Sequence, residues 1–352
     1  MSEENVKIGF VGVGGMGQCA HLRNYVTVEG CEVVALAELR QDLGHAVATR
    51  YGVPAVYASH AEMLANEELD GIVASQPFDR HGVLVPDLLD AGVPVFTEKP
   101  LAASVEVGER IVESVGASGT WYMVGYHKRS DPATMKAKAE IDRLKTSGEL
   151  GKLTYVRILM PAGDWVAAGF NDLISVPGDY PAVDRDAPAS DMDSDTYRSY
   201  TAFVNYYIHQ VNLMRYLLGE PYQVTYAEPS GVLLAGQSAS GVACTIEMSP
   251  YRTTIDWQES ALVCFERGYV KLELPAPLAS NQPGRVEFFA DPDTGTTPET
   301  RIPQLPWVHA MRQQAINFVA AIKGEAPPPC EAAEALEDLK VAREYIRLFT
   351  GK

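Results

Sequence analysis

Through the first 127 residues, short apolar runs alternate with amphipathic stretches. VKIGFVGV (6–13), CEVVALAE (31–38), DGIVASQ (70–76), PVFTE (94–98) and TWYMVGY (120–126) are nearly all apolar, the pattern of strands buried on both faces. The stretches between them place apolar residues at helical spacing. Examples are Leu43, Val47 and Tyr51 over 41–51, and Leu84, Leu88 and Leu89 over 79–91 before Gly92. Val107, Ile111 and Val115 do the same over 104–115. Strands alternating with helices predict a parallel sheet covered by helices on both sides.

The rhythm changes after residue 130. A helix over 131–147 and a strand, LTYVRILMP (153–161), precede an irregular stretch at 163–200 rich in Asp, Pro and Gly. So long a stretch is expected to be a functional loop or an oligomer arm. YTAFVNYYIHQVNLMRYLLG (200–219) reads as one aromatic helix. Strand-like runs at 231–235, 242–248, 260–274 and 285–290 predict an antiparallel sheet, and helices over 306–323 and 331–349 close the chain. The expected organisation is a parallel sheet covered by helices over the first 127 residues, followed by a region built on an antiparallel sheet. The final helices are free to pack back on the first domain.

A length of 352 residues suits two such cores. The net charge of −17 disfavours nucleic acid and anionic membranes as partners. Five cysteines lie scattered without a C-x-x-C pair, as expected for free thiols in a reducing compartment. The start, MSEENVKIGFVGVGG, has no basic segment followed by an apolar one, so no signal peptide is expected. No window has the length of a membrane span, and a cytoplasmic location follows.

The first strand ends in Gly12-Val13-Gly14-Gly15-Met16-Gly17, a G-x-G-x-x-G turn opening a helix. Gly12 allows the tight turn, Gly14 admits a pyrophosphate to the backbone, and Gly17 lets helix and strand pack closely. Glu38 ends the second strand about 20 residues on, where a carboxylate accepts both hydroxyls of the adenosine ribose. It repels a 2′-phosphate, so NAD is expected over NADP. Arg40, two residues later, is a group a phosphate could use. DMDSD (191–195) lacks the glycine and glutamate that a calcium loop needs further on, and no metal is expected. No G-x-S-x-G elbow supports a hydrolase triad.

Glu98-Lys99-Pro100 then falls at the carboxyl end of a sheet strand, where a lysine can sit beside a nicotinamide and favour an alkoxide. With SQPFDRH (75–81), AGVPVFTEKP (91–100), GYHKRSDPA (125–133), NYYIHQVNLMRYLLGEP (205–221) and HAMRQQAINFVAAIKGEAPPP (309–329), the chain resembles the glucose–fructose oxidoreductase, inositol dehydrogenase and MocA family. The resemblance covers nearly the whole chain except 163–200. It implies an α/β Rossmann domain at 1–127 and an α+β domain at 128–352 with an open, mostly antiparallel sheet, and NAD(P)-dependent oxidation or reduction of a sugar or polyol, usually in a homodimer or homotetramer. It assigns catalysis to Lys99 and His209. It places Gly12, Gly14, Gly15, Met16, Gly17, Glu38, Arg40, Ser75, Gln76, Pro77, His81, Glu98, Lys99 and His127 around the cofactor. Lys99, Arg129, Asn205 and His209 fall to the substrate. Outside the resemblance, Trp165 follows a strand that should lead into the cleft, where an aromatic could stack on a sugar's apolar face or cover the nicotinamide, or simply pack. His127 departs from the family's usual asparagine, and Asn205 and Asn212 stand where aspartates are usual. An asparagine one turn before His209 can bond a hydroxyl but cannot take its proton. Two alternatives stay open on such a scaffold: a glycosidase or lyase that uses NAD transiently, and a non-catalytic NAD-binding sensor.

Overall fold

In the computed structural model, which describes residues 5–292 and 295–352, the apolar N-terminal runs build a six-stranded parallel sheet. In chain order its elements are β1 Val6–Val11, α1 Arg23–Tyr25, β2 Cys31–Ala37, α2 Gln41–Tyr51, β3 Ala55–Tyr57, α3 His60–Asn66, β4 Gly71–Ala74, α4 His81–Leu89, β5 Val95–Glu98, α5 Val105–Ser118 and β6 Tyr122–Gly125. A π-helical turn at Gly17–Leu22 leads into α1. The strand order β3-β2-β1-β4-β5-β6 is that of a dinucleotide-binding sheet. Every residue of β4, β5 and β6 is buried, because helices cover both faces. Ser59 and Ser104 cap α3 and α5 by accepting from Glu62 N and Val107 N.

The chain divides into two compact units. The first comprises residues through Tyr126 together with 168–193 and 311–339. Phe318, from the helix Ala310–Ile322, lies fully buried in its core, 5.7 Å from Phe96 and 6.3 Å from Tyr25 between ring centroids. The 168–193 segment folds with this unit, a placement no periodicity in the sequence announces.

The second unit comprises 127–167, 194–310 and 340–352. Its elements are α6 Pro132–Ser147, β7 Leu153–Ala162, α7 Ser194–Tyr206, α8 Ile208–Leu218, β8 Tyr222–Ala227, β9 Leu233–Ser238, β10 Ala243–Arg252, β11 Glu259–Phe265, β12 Gly268–Leu274, β13 Arg285–Ala290 and β14 Glu299–Arg301. The eight-stranded sheet has the order β14-β13-β12-β11-β7-β10-β9-β8 and is antiparallel except between β7 and β10. Buried and partly exposed residues alternate along β11, as they must when one face is covered. Asp131 caps α6 through Ala133 N, with Pro132 in the first turn.

Two expectations change. The run at 260–274 is a hairpin, β11 and β12, turned at Glu266 and Arg267. The helix expected over 200–219 begins earlier and breaks at Tyr207 into α7 and α8. There the Tyr207 hydroxyl is tied to Ser249 in β10, and its ring lies 6.0 Å from that of Phe203. Tertiary anchoring of this aromatic outweighs the local helical propensity. β3, α3, β8 and β14 are short elements that the apolar pattern does not mark.

Candidate active site

Strand register sets the site. Val11 pairs with Ala37 and with Ala74, and Ala74 pairs with Thr97, so these strands end level. The residues that follow, Gly12, Glu38, Ser75 and Glu98, therefore line the carboxyl edge of the sheet, where open α/β sheets bind ligands.

At the glycine turn each glycine meets a different neighbour. Gly12 has φ +89°, and a Cβ there would lie 2.7 Å from the Ser75 carbonyl oxygen. A Cβ on Gly17 would lie 2.6 Å from the Gly12 carbonyl oxygen, so helix and strand meet at their backbones. A Cβ on Gly14 would meet nothing within 4 Å. The turn is thus closed against the protein at Gly12 and Gly17 and open at Gly14, the cradle a pyrophosphate requires.

Glu38 is buried at 3% exposure. Its Oε2 accepts from Val13 N at 3.0 Å, and its Oε1 accepts from Arg40 N and Nε, both at 3.1 Å. A carboxylate with these three bonds keeps lone-pair capacity for a ribose hydroxyl. Glu38 lines a recess with Ser59, His60, Gln76, Arg80 and Tyr180. Gln76 Nε2 donates to Val11 O at 3.3 Å, and its Oε1 accepts from Arg80 at 2.8 Å. Ser75 N bonds Val11 O at 3.0 Å, and Met16 and Gly15 are half-buried at the turn. The donor set fits the adenosine and pyrophosphate parts of a dinucleotide.

Pro77 is exposed where a short 3-10 turn begins. His81 follows at the start of α4. It is fully buried, its Nδ1 lies 3.1 Å from the Leu101 carbonyl oxygen, and burial lowers its pKa. Lys99 is half-buried, and its backbone N donates to Glu98 Oε2 at 3.2 Å. Glu98 Oε1 lies 2.7 Å from Nε2 of His21, a buried histidine on the π-helical turn that sequence reasoning passed over. His21 carries no motif of its own. It ties the strand bearing Lys99 to the helix that follows the glycine turn.

In the second unit, His127 and His209 pack edge to face, with ring centroids 4.4 Å apart at 75°. His127 is buried and His209 half-buried. Their neighbours in sequence are held by one acid: Glu259 Oε1 accepts from Gln210 Nε2 at 2.7 Å, and its Oε2 pairs with the Lys128 ammonium. The Trp257 indole also donates to Glu259, at 3.3 Å, and Lys128 lies 5.6 Å over that ring. Glu259 was missed, yet the sequence holds a clue. It stands in phase with Ala261, Val263 and Phe265, the buried face of β11, and a charge in phase with a buried face calls for a partner. Arg129 is buried, donates to Asn212 Oδ1 at 2.7 Å and stacks 4.7 Å over the Tyr216 ring. Asn205 is exposed on α7, across the Tyr207 break from His209, so the two do not share the single helix expected. Trp165 is half-buried after β7, and its carbonyl accepts from Leu278 N at 3.3 Å.

A glycine turn, a ribose-level acid and a lysine at the edge of a parallel sheet, followed by a second α+β unit, define a nucleotide-dependent oxidoreductase. Residues 6–126 match the model of the Gfo/Idh/MocA oxidoreductase family with an NAD-binding Rossmann fold. The chain is 25% identical to inositol 2-dehydrogenase of Burkholderia cenocepacia over 96% of its own length and 97% of the relative's. It is 26% identical to scyllo-inositol 2-dehydrogenase (NAD(+)) of Bacillus subtilis over 70% of its length and 68% of the relative's. In fold it resembles a 3-ketoreductase variant from Actinomadura kijaniata solved with NADP and TDP-benzene, at a TM-score of 0.66, 14% identity and 96% coverage of both chains. The nucleotide-binding domain over residues 6–126 belongs to the Gfo/Idh/MocA family of oxidoreductases.

Proposed function

We propose that the protein is an NAD-dependent dehydrogenase that interconverts a secondary hydroxyl and a ketone on a sugar, a sugar derivative or an inositol. One observation carries the choice of cofactor: the buried Glu38 carboxylate at the glycine turn, bonded to Val13 N at 3.0 Å. It offers a ribose diol an acceptor and a 2′-phosphate a like charge. The turn around Gly14 would hold the pyrophosphate, and Glu38 and Gln76 the adenosine end. NAD, when bound, accepts the hydride that leaves the carbinol carbon. Lys99 holds the reacting hydroxyl and electrostatically favours its alkoxide, and His209 takes the proton. Arg129 acts through Asn212 and Tyr216 to hold its segment rather than by reaching out.

The names of the two curated relatives support a cyclic polyol as substrate and, for one of them, NAD. A screen of inositols, sugars and glycosides with NAD and NADP, read at the NADH absorbance, tests the reading. Turnover of a free polyol with NAD is expected. Release of an aglycone without net NADH, or better efficiency with NADP, would refute it.

No helix among the described residues is long and apolar enough to cross a membrane, and the composition fits the cytoplasm. The partly exposed face of the second sheet mixes the Arg157–Glu247 pair with Leu159, Leu262 and Phe289, and we assign it to a homodimer or homotetramer contact. Light scattering that returns the monomer mass at micromolar concentration would remove that assignment.

A further inference from the structure

The 168–193 segment has no regular secondary structure, yet it is anchored along the nucleotide-binding edge of the first unit. At the glycine turn, the Phe170 ring lies 3.6 Å from where a Gly15 Cβ would stand. One turn further on, the buried Gln18 amide grips the segment in both directions. Its Oε1 accepts from Ile174 N at 3.0 Å, and its Nε2 donates to Ile174 O at 3.1 Å. The same Nε2 donates to Val13 O at 2.7 Å, so the grip is continuous with the glycine turn.

The segment then reaches the adenosine recess. Tyr180 forms part of its wall, with its ring 5.0 Å beneath the Arg40 guanidinium and its hydroxyl 3.4 Å from Gln76 Oε1. Arg80 Nε donates to the Asp184 carbonyl oxygen at 3.2 Å. Beyond the recess, Asp186 Oδ2 accepts from Gly82 N at 2.9 Å and holds the far end down.

Two cations that a 2′-phosphate would seek stand at the recess: Arg80 in its lining, and Arg40 against the lining residues Glu38 and Tyr180. Both are engaged. Arg40 is held between Glu38 and the Tyr180 ring, and Arg80 between Gln76 and the Asp184 carbonyl. We propose that 168–193 is a cofactor strap. Phe170 covers the pyrophosphate turn, and Tyr180 walls the adenosine recess and holds Arg40 on Glu38. The strap thereby slows release of a bound dinucleotide and turns the site against a 2′-phosphate. The proposal rests on the dinucleotide reading of this site and adds Tyr180 to its specificity-determining residues and Phe170 to the residues that retain the cofactor.

The test needs no substrate. NADH and NADPH are titrated by fluorescence into the full-length wild-type chain, Y180A and Y180F, and NADH release is timed by stopped flow against excess NAD. In Y180A, NADH should leave about tenfold faster, and the preference for NADH over NADPH should fall by about tenfold, the scale of one charge-assisted contact to phosphate. Y180F keeps the ring under Arg40 and should behave as wild type. F170A should speed release without moving the NADH-to-NADPH ratio, because it lies at the pyrophosphate end. Unchanged release and an unchanged ratio in Y180A would overturn the strap while leaving the dinucleotide reading intact. Failure of the wild-type chain to bind either dinucleotide would overturn both.

Discussion

Glu259 is the residue whose replacement the second unit should tolerate least. Its side chain is 0% exposed and that of its partner Lys128 is 4% exposed. The carboxylate serves three donors: the Lys128 ammonium, Gln210 Nε2 and the Trp257 indole. E259Q keeps the shape and one acceptor oxygen but removes the charge. It leaves an ammonium buried without its counterion, which costs about 3–5 kcal/mol. K128M/E259Q removes that ammonium while the glutamine oxygen still serves Gln210, so most of the loss should return. E259L is worse than the double variant, because it keeps the Lys128 ammonium without a counterion and strands Gln210 as well, at about 1–3 kcal/mol for a buried donor left without an acceptor. Urea unfolding followed by circular dichroism and by tryptophan fluorescence measures all three. The reasoning fails if E259Q lies within about 1 kcal/mol of wild type. It also fails if the double variant is no more stable than E259Q, since the loss would then owe nothing to an uncompensated charge.

Three further outcomes follow from other parts of the molecule. K99M should lower turnover by about 10²–10⁴ while leaving NADH affinity nearly unchanged, and near-normal turnover with a confirmed substrate would return Glu98-Lys99-Pro100 to an ordinary strand end. G14A should keep the wild-type melting temperature and weaken NADH binding, whereas G17A should cost about 1–3 kcal/mol, because its Cβ would meet the Gly12 carbonyl oxygen at 2.6 Å; calorimetry and titration showing equal stability for the two would contradict the geometry of the turn. Burial pushes the Asp131 carboxyl up to about 6, so its contribution to stability is complete below about pH 4 and is lost as pH rises through 6. D131N, which still caps α6, removes this titration. The wild type should therefore lose up to about 3 kcal/mol relative to D131N between about pH 4 and pH 7, and a gap that stays flat or moves the other way in urea titrations would refute the assignment.

Local spacing carried much of the fold. A strand buried on both faces is apolar at every position, so the strands of the parallel sheet other than the three-residue β3 stand out in the sequence, as do the glycine turn and the acid after β2. The edge residues Gly12, Glu38, Ser75 and Lys99 could be placed together because parallel register brings strand ends level. Short elements such as β3 and β14 were silent, since three residues cannot display a period. The break at Tyr207 was also silent, and the Ser249 hydroxyl that its side chain meets lies on another element.

Partnership between distant residues was decided by folding alone. Glu98 looked like a cofactor neighbour and is bonded to His21, 77 positions away. Lys128 finds its acid 131 residues further on, and Gln18 grips Ile174 across 156. His81 matched a cofactor loop in sequence, and its ring turned inward to Leu101. Periodicity records which face of an element is buried, because that face repeats every two or 3.6 residues. It carries no record of what the face is buried against. A coil without period, such as 168–193, reveals its place only when the surface that receives it has formed.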